Sequence, residues 1–374
     1  MRVMFWSAVF WPSIGGVQTM ASDLLVALRE RGHEFVVITE RGTPDLPVED
    51  KYEGIPVYRL PFAAVLRDVD RLMKVRSQVI RLKREFAADL FHSFAVSAND
   101  FLHLTTQDAH PAPWLVTLHG AWPSSCDSFV RRTLTTADWV VGCSAAILQL
   151  GCELAPEVSS HSSIIYNAQE PASGHPSSLG FDPPVLLYVG RLSREKGVDI
   201  ALAAFAALLT RFPEIRLVIA GDGPERDALE QQADQLNLAP AIQFLGWVIP
   251  EDVPALIDTA SVVIVPSRED SFPVVGLQAA LMARPVVATR TGGIPEMVLD
   301  RETGLLVERE NPKALADAIS SLLQHPDDAR RMGEAARRRA LEAFSFDRHV
   351  EAYDTLYRML VPNERTKDGR RRLP

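Results

Sequence analysis

Cysteine is scarce in this chain: Cys126, Cys143 and Cys152 are the only three among 374 residues. Their spacing is not that of metal ligands, and an odd, sparse set fits a reducing compartment. Long apolar runs are missing too, and no uninterrupted stretch is long enough to cross a bilayer. The opening MRVMFWSAVFW could pass for a signal peptide. It is followed by SIGGVQ and an amphipathic helix pattern, as a first strand would be, and it is read as that strand. There is no excess of positive charge. Lys and Arg total 39 against 48 Asp and Glu, a formal charge of −9, which argues against wholesale nucleic-acid binding. No period marks a solenoid or propeller. The spacing around Gly15 and Gly16 is not G-x-G-x-x-G, so a dinucleotide fingerprint is unsupported.

What is present is the composition of a soluble globular protein, 47% apolar and 23% charged, with length enough for two separate cores. Strand and helix signals alternate. A strand at 3–9 leads to Gly15-Gly16 and a helix over about 18–31, whose stripe is Met20, Leu24, Leu25 and Leu28. Gly32 ends it, and 34–39 reads as the next strand. Further strands are expected at 90–94, 114–118, 139–143 and 163–166. Residues 168–184, AQEPASGHPSSLGFDPP, read as a linker. The rhythm then restarts, with strands at 185–189, 216–220, 242–245, 262–265 and 285–289 and helices at 198–211 and 225–236. The expected class is α/β, with two Rossmann-like doubly wound domains facing across a cleft. Their spans are 1–168 and 185–345. A closing helix over 346–362 is expected to return to the first domain, and a solvated tail over 363–374 to follow.

Ligands of such sheets bind at the carboxyl ends of strands, so the loops there carry the functional candidates. The run 266–296 reads as strand, loop, helix, strand and glycine turn. Its loop holds Glu269 and Asp270, and its helix opens after Ser271 and Pro273 with unpaired amides that suit phosphate. A carboxylate beside a phosphate can hold the hydroxyls of an attached sugar. The plainer role for Asp270 is an N-cap partner. Upstream, Gly190 and Arg191 end a strand and Lys196 follows. A forked cation and a point-charge cation suit a diphosphate, the alternative being a solvated loop paired through Arg194 and Glu195. His119 ends the strand in WLVTLHG, where a lone histidine is more often packed than catalytic. Gly15-Gly16 is either a close-approach loop or a tight turn. Residues 65–84 form an amphipathic helix with Val65, Leu66, Val69, Leu72, Met73, Val79 and Ile80 on one face. Arg67, Arg71, Lys74, Arg81 and Arg84 lie opposite. It is read as a surface helix with a solvated basic face, the alternative being peripheral contact with an anionic membrane.

The segments YVGRLSREKGVDIALAAF, VIAGDGPER, FLGWV and SREDSFPVVGLQAALMARPVVATRTGGIPEMV, in that order, resemble retaining nucleotide-sugar-dependent glycosyltransferases of family 4, fold type GT-B. PSIGGVQTMASDLLVALRERGHEFVVIT is similar to the family's first strand, loop, helix and strand. The family signature is a pair of glutamates flanking a Phe-Gly or Phe-Pro step. Here Phe272-Pro273 sets the register, so the pair becomes Asp270 and Gln278, a departure at both positions. Glu269 is the alternative first carboxylate. The resemblance implies that Asp270 holds donor-sugar hydroxyls and Gln278 the ribose. It puts the amides of Val274 and Val275 on the donor phosphates, and Arg191 and Lys196 on the leaving diphosphate. Gly15 and Gly16 would lie over the donor phosphate and acceptor, and His119 against the donor sugar. The 244–248 segment, with Val248, would line the base pocket beside Gly221. The turn Thr291-Gly292-Gly293 would close near the donor. The expected activity is retaining transfer of a hexosyl group from a UDP- or GDP-type sugar. The acceptor is an unidentified glycan, lipid-linked or small molecule. The alternatives are an epimerase or hydrolase on the same fold, or a catalytically weakened nucleotide-sugar-binding protein. No cofactor, metal or nucleic acid is expected. The location expected is cytoplasmic, with the inner membrane surface as a second possibility.

Overall fold

A computed structural model describes residues 1–13, 15–62, 68–172 and 174–362. The tail read at 363–374 and the start of the basic helix, 65–67, lie outside the described residues. The chain divides into two compact units, Met1–Tyr166 with Asp347–Pro374, and Asn167–Phe346.

The first unit is built on an eight-stranded sheet. Its strands are β1 (Arg2–Ser7), β2 (Glu34–Glu40), β3 (Glu49–Tyr52), β4 (Ile55–Leu60), β5 (Leu90–Phe94), β6 (Trp114–Leu118), β7 (Trp139–Gly142) and β8 (Ser162–Ile164), in the order β3-β4-β2-β1-β5-β6-β7-β8. Neighbours run parallel except β3, which is antiparallel to β4. The signal-peptide-like opening is thus the central strand β1, covered on both faces, which explains its continuous apolar run. The β3–β4 hairpin was not anticipated. Glu53 and Gly54 both have positive φ, as a type I′ turn demands, yet Glu-Gly lacks the usual Asn-Gly or Asp-Gly signal.

The helix Val69–Phe86 corrects the expected apolar face. Val69 is 74% and Met73 50% exposed. The buried residues are Val75, Val79, Leu82 and Lys83, a stripe displaced around the helix. Lys83 fits because its stem packs in the core while its ammonium donates to the carbonyls of His103 (3.3 Å) and Thr106 (3.2 Å). It also lies 4.6 Å from the centre of the Phe91 ring. Burial pulls its pKa down to about 7.

The second unit has six parallel strands, β9 (Val185–Val189), β10 (Arg216–Ala220), β11 (Ile242–Gly246), β12 (Val262–Val265), β13 (Val286–Thr289) and β14 (Gly304–Val307), ordered β11-β10-β9-β12-β13-β14. Strand order reverses between β9 and β12, the topological switch point where a doubly wound sheet opens a crevice at its carboxyl edge. Leu202, Phe205 and Leu208 of helix Val198–Leu209 pack with Ile219, Ile264, Leu315 and Ile319 around the sheet.

The helix Phe346–Leu360 places four side chains in the core of the first unit. Asp354 Oδ1 lies 2.8 Å from His33 Nε2, and the Tyr357 hydroxyl 2.6 Å from His92 Nδ1. Tyr353 meets the Thr117 hydroxyl at 3.1 Å, and His349 Nδ1 donates to the Tyr166 carbonyl at 2.7 Å. Burial lowers the pKa of His33, against the opposing pull of Asp354, and lowers His92 well below its usual value. It brings His349 down to about 4.

Each of these histidines is therefore neutral when folded and titrates near 6.5 when unfolded. The unfolded chain binds more protons between the two pKa values. Their contribution is complete above about pH 6.5 and is lost as pH falls below it, at up to ~1.4 kcal/mol per pH unit for each histidine. Urea unfolding of the first unit, followed by amide exchange in β5, β6 and the closing helix, is expected to shift to lower urea at pH 5 than at pH 7.5. An identical midpoint at both would contradict the burial of these rings.

Candidate functional site

The second unit's switch point brings together two loops. After β9 come Gly190, exposed Arg191 and a three-ten turn, Arg194–Lys196, which leads through Gly197 into helix Val198–Leu209. After β12 come residues 266–273 and helix Val274–Leu281. Gly197 has φ +67°, and a Cβ there would stand 2.1 Å from the Pro266 carbonyl oxygen. Only glycine lets the first loop lie directly on the second. Lys196 Nζ consequently reaches Asp270 Oδ2 at 2.8 Å, and the Ser267 hydroxyl donates to the same oxygen at 3.1 Å. From the other side, Gly292 (φ +49°) sits so close to the Asp270 carbonyl that a Cβ would be 1.8 Å from its oxygen. The Gly293 amide donates to that carbonyl at 3.2 Å. Asp270 is thereby held by three chain segments.

The electrostatics follow from this packing. The Asp270 side chain is 7% exposed and that of Lys196 30%, so the carboxylate is covered while its cation keeps access to solvent. The Tyr188 hydroxyl donates to the Arg191 carbonyl at 2.7 Å. Burial first, then the charges of Asp270 and Glu195, raise its pKa and keep it protonated. Burial pushes Glu195 up, but the Ser193 hydroxyl (2.5 Å), its own amide and the nearby Lys196 and Arg191 outweigh that and lower it.

Helix Val274–Leu281 has no side-chain cap and no acid in its first turn. The N-cap role considered for Asp270 is thus corrected: its carboxylate is committed to Lys196 instead. The amides of Val274 and Val275 have no carbonyl within the helix to pair with. Gln278 is half-buried one turn beyond Val274, on the same face. Phe272 is 2% exposed, lies 5.3 Å from the Phe344 ring, and its carbonyl accepts from the Asn167 amide at 3.1 Å. With buried Pro273 it anchors the helix start. Glu269 is exposed, and it is Asp270, not Glu269, that meets Lys196. Gly221 donates its amide to Gly246 at 2.7 Å, and half-buried Val248 follows between exposed Trp247 and Ile249.

His119, Gly15 and Gly16 belong to the first unit. His119 follows β6, is 8% exposed, and its ring lies 4.2 Å from that of Phe94. Gly15 and Gly16 open helix Gly16–Glu30, which has neither a side-chain cap nor an acid in its first turn. Sequence reasoning missed Ser267, Arg268 and Tyr188, because neither periodicity nor spacing distinguishes them from ordinary loop and strand residues.

Two α/β units, one with a parallel sheet and the other with a sheet parallel but for its edge strand β3, have the GT-B architecture. Sucrose-phosphate synthase from Thermosynechococcus elongatus matches with a TM-score of 0.84 at 23% identity, over 96% of this chain and 99% of that one. Anabaena HepE in complex with UDP and glucose matches with 0.79 at 20% identity, over 95% and 99%. Two family models cover most of the chain: "Glycosyl transferases group 1" at residues 175–339 and "Glycosyl transferase 4-like domain" at 15–150. The chain belongs to this glycosyltransferase family. A D-inositol 3-phosphate glycosyltransferase of Corynebacterium urealyticum is 38% identical over 189 residues, 48% of this chain, and the match spans 44% of that protein.

Alanine at 197 or 292 would have to adopt a left-handed backbone and push a carbonyl away, at a cost of at least ~1–2 kcal/mol. Either substitution should lower the thermal midpoint of the second unit by roughly 3–8 °C. Gly180, whose Cβ would meet nothing within 4 Å, is the control and should tolerate alanine. Equal midpoints for all three variants would refute the close loop packing.

Proposed function

We propose that this chain transfers a hexosyl group, with retention of configuration, from a nucleotide-diphosphate sugar of UDP or GDP type to an acceptor. The observation that carries the reading is the Lys196–Asp270 pair at the switch point, beside exposed Arg191 and a helix start free of acids. HepE's complex with UDP and glucose supports a nucleotide and a hexose as donor components. The names of the relatives point to different products, so none supplies this chain's acceptor.

In this reading the donor diphosphate lies against the amides of Val274 and Val275, with Arg191 and Lys196 on its oxygens. Gln278 hydrogen-bonds the ribose through its amide. As the glycosidic bond breaks, negative charge grows on the departing phosphate oxygen, and the two preorganised cations stabilise it. The acceptor hydroxyl enters on the same face and passes its proton to that oxygen. Asp270 orients the sugar. The guanidinium and ammonium supply the charge that a metal would otherwise bring, so the scheme contains neither metal nor cofactor. For Val69–Phe86 we favour a solvated surface helix, because Arg71 and Arg81 are already paired with Asp68 (3.1 Å) and Glu85 (3.9 Å). No helix among the described residues is long and apolar enough to cross a membrane. A cytoplasmic location is part of the proposal.

A thermal-shift panel of UDP, GDP, ADP and their sugars should raise the midpoint with one nucleotide. Lys196→Ala should weaken that nucleotide and lower kcat by about 10²–10³, the cost of one missing charge-stabilising donor. Asp270→Asn should also lose turnover, yet bind the bare nucleoside diphosphate at least as tightly, since the ammonium loses its carboxylate rival. Unchanged affinity and turnover in Lys196→Ala would remove it from the site. Full-rate donor breakdown without acceptor would favour a hydrolase or epimerase. Tight binding without turnover across many acceptors would favour the weakened binding protein, for which Gln278 speaks.

A further inference from the structure

We propose that Arg268 is the positioning residue of this site: it holds the turn that presents Lys196 to the donor diphosphate without touching the donor itself. The proposal rests on the functional reading above. Arg268 lies in the loop after β12, and its side chain is 18% exposed. Nη1 and Nη2 each donate at 2.7 Å to one oxygen of Asp199, in the first turn of helix Val198–Leu209. Nε donates to Glu310, and Nη1 also reaches the Arg194 carbonyl at 2.8 Å. The Arg268 amide donates to the Glu195 carbonyl at 2.7 Å. One residue therefore secures the carbonyls of 194 and 195, immediately before Lys196. Its own carbonyl accepts from Thr291 (3.1 Å) and Arg309 (3.2 Å), tying in the turn that backs Asp270.

Stability alone does not account for this arrangement. Asp199 and Glu310 are 44% and 60% exposed, so solvent screens both ion pairs. The bonds to Asp199 come first and, with those to Glu310, outweigh the desolvation of the guanidinium and raise its pKa, so the ion pairs also contribute to the fold. What a planar fork adds is direction: two parallel bonds fix the loop's angle as well as its distance. Two acidic partners also neutralise the guanidinium, which argues against its acting as a phosphate ligand. A misplacement of about 1 Å at a reacting centre can cost ~10²-fold in rate.

The test compares Arg268→Met, Arg268→Lys, Asp199→Asn and Lys196→Met in the full chain. Transfer from UDP-glucose and GDP-mannose to a panel of glycan, lipid-linked and small-molecule acceptors is measured below each thermal midpoint, with amide exchange over 194–198. Arg268→Met is expected to lower kcat at least tenfold, move donor KM less than threefold, and speed exchange at 194–198 but not in β9. Arg268→Lys should recover only part of kcat. Asp199→Asn should act in the same direction, with little further loss when combined with Arg268→Met. A kcat within twofold of wild type in Arg268→Met, beside a large loss in Lys196→Met, overturns the positioning role and leaves the functional reading standing. Unchanged turnover in Lys196→Met overturns both. If Arg268→Met does not fold, Asp199→Asn decides, and unchanged kcat and exchange there overturn the proposal.

Discussion

Lys196 and Asp270 are 74 residues apart in sequence, and their contact requires loops from two non-consecutive strands to meet. A carboxylate covered to 7% exposure is costly unless a cation and further donors satisfy it. The ammonium of Lys196 and the hydroxyl of Ser267 do so here. The contact in turn depends on two places where no side chain fits, Gly197 against Pro266 and Gly292 against Asp270. Parallel strand order decides that these loops emerge side by side, and the glycines decide that they touch. The electrostatics of the second unit's carboxyl edge follow, including the raised Tyr188 and lowered Glu195.

The strands around this site were readable because a parallel sheet covered on both faces turns each strand into a short apolar run. β9, β10 and β12 have the boundaries expected of them. β14 was not foreseen: GLLV is short, and two of its four residues are half-buried. The hairpin of β3 and β4 has an alternating burial pattern on β3 and a turn, Glu53-Gly54, whose backbone only tertiary context reveals. The helix Val69–Phe86 was recognised as amphipathic but turned the wrong way. An apolar count grouped Val79 with Val69 and Met73, whereas the core keeps Val79 and adds Val75, Leu82 and the stem of Lys83. Hydrophobicity scales price the lysine by its charge, while the fold uses its methylenes and supplies two carbonyls for the head.

Within the site, the charged candidates were visible but their pairing was not. Sequence suggested sugar hydroxyls, or an N-cap, for Asp270 and a diphosphate, or a solvated loop, for Lys196, and the structure brings these two groups to each other. Arg268 illustrates a different limit. Its significance lies in four partners at positions 194, 195, 199 and 310, none adjacent to it in sequence. A residue that acts by collecting distant segments leaves no local pattern.

The departures from the paired-glutamate signature acquire a physical sense once this geometry is known. Aspartate is one methylene shorter than glutamate, and its carboxylate is drawn toward Lys196 and Ser267. Glutamine at 278 leaves the helix face beyond Val274 uncharged. Under the proposed function, that face receives a diphosphate whose charge must be balanced by Arg191 and Lys196, one of which is already shared with Asp270. A second carboxylate about 6 Å from a phosphate charge would oppose it by roughly 3 kcal/mol at an effective dielectric of about 20. An amide removes that repulsion while keeping a hydrogen bond for ribose. The substitution at 278 is therefore consistent with a site that retains its donor by lowering local negative charge, the same end that the shorter, covered carboxylate at 270 serves by staying close to its own cation.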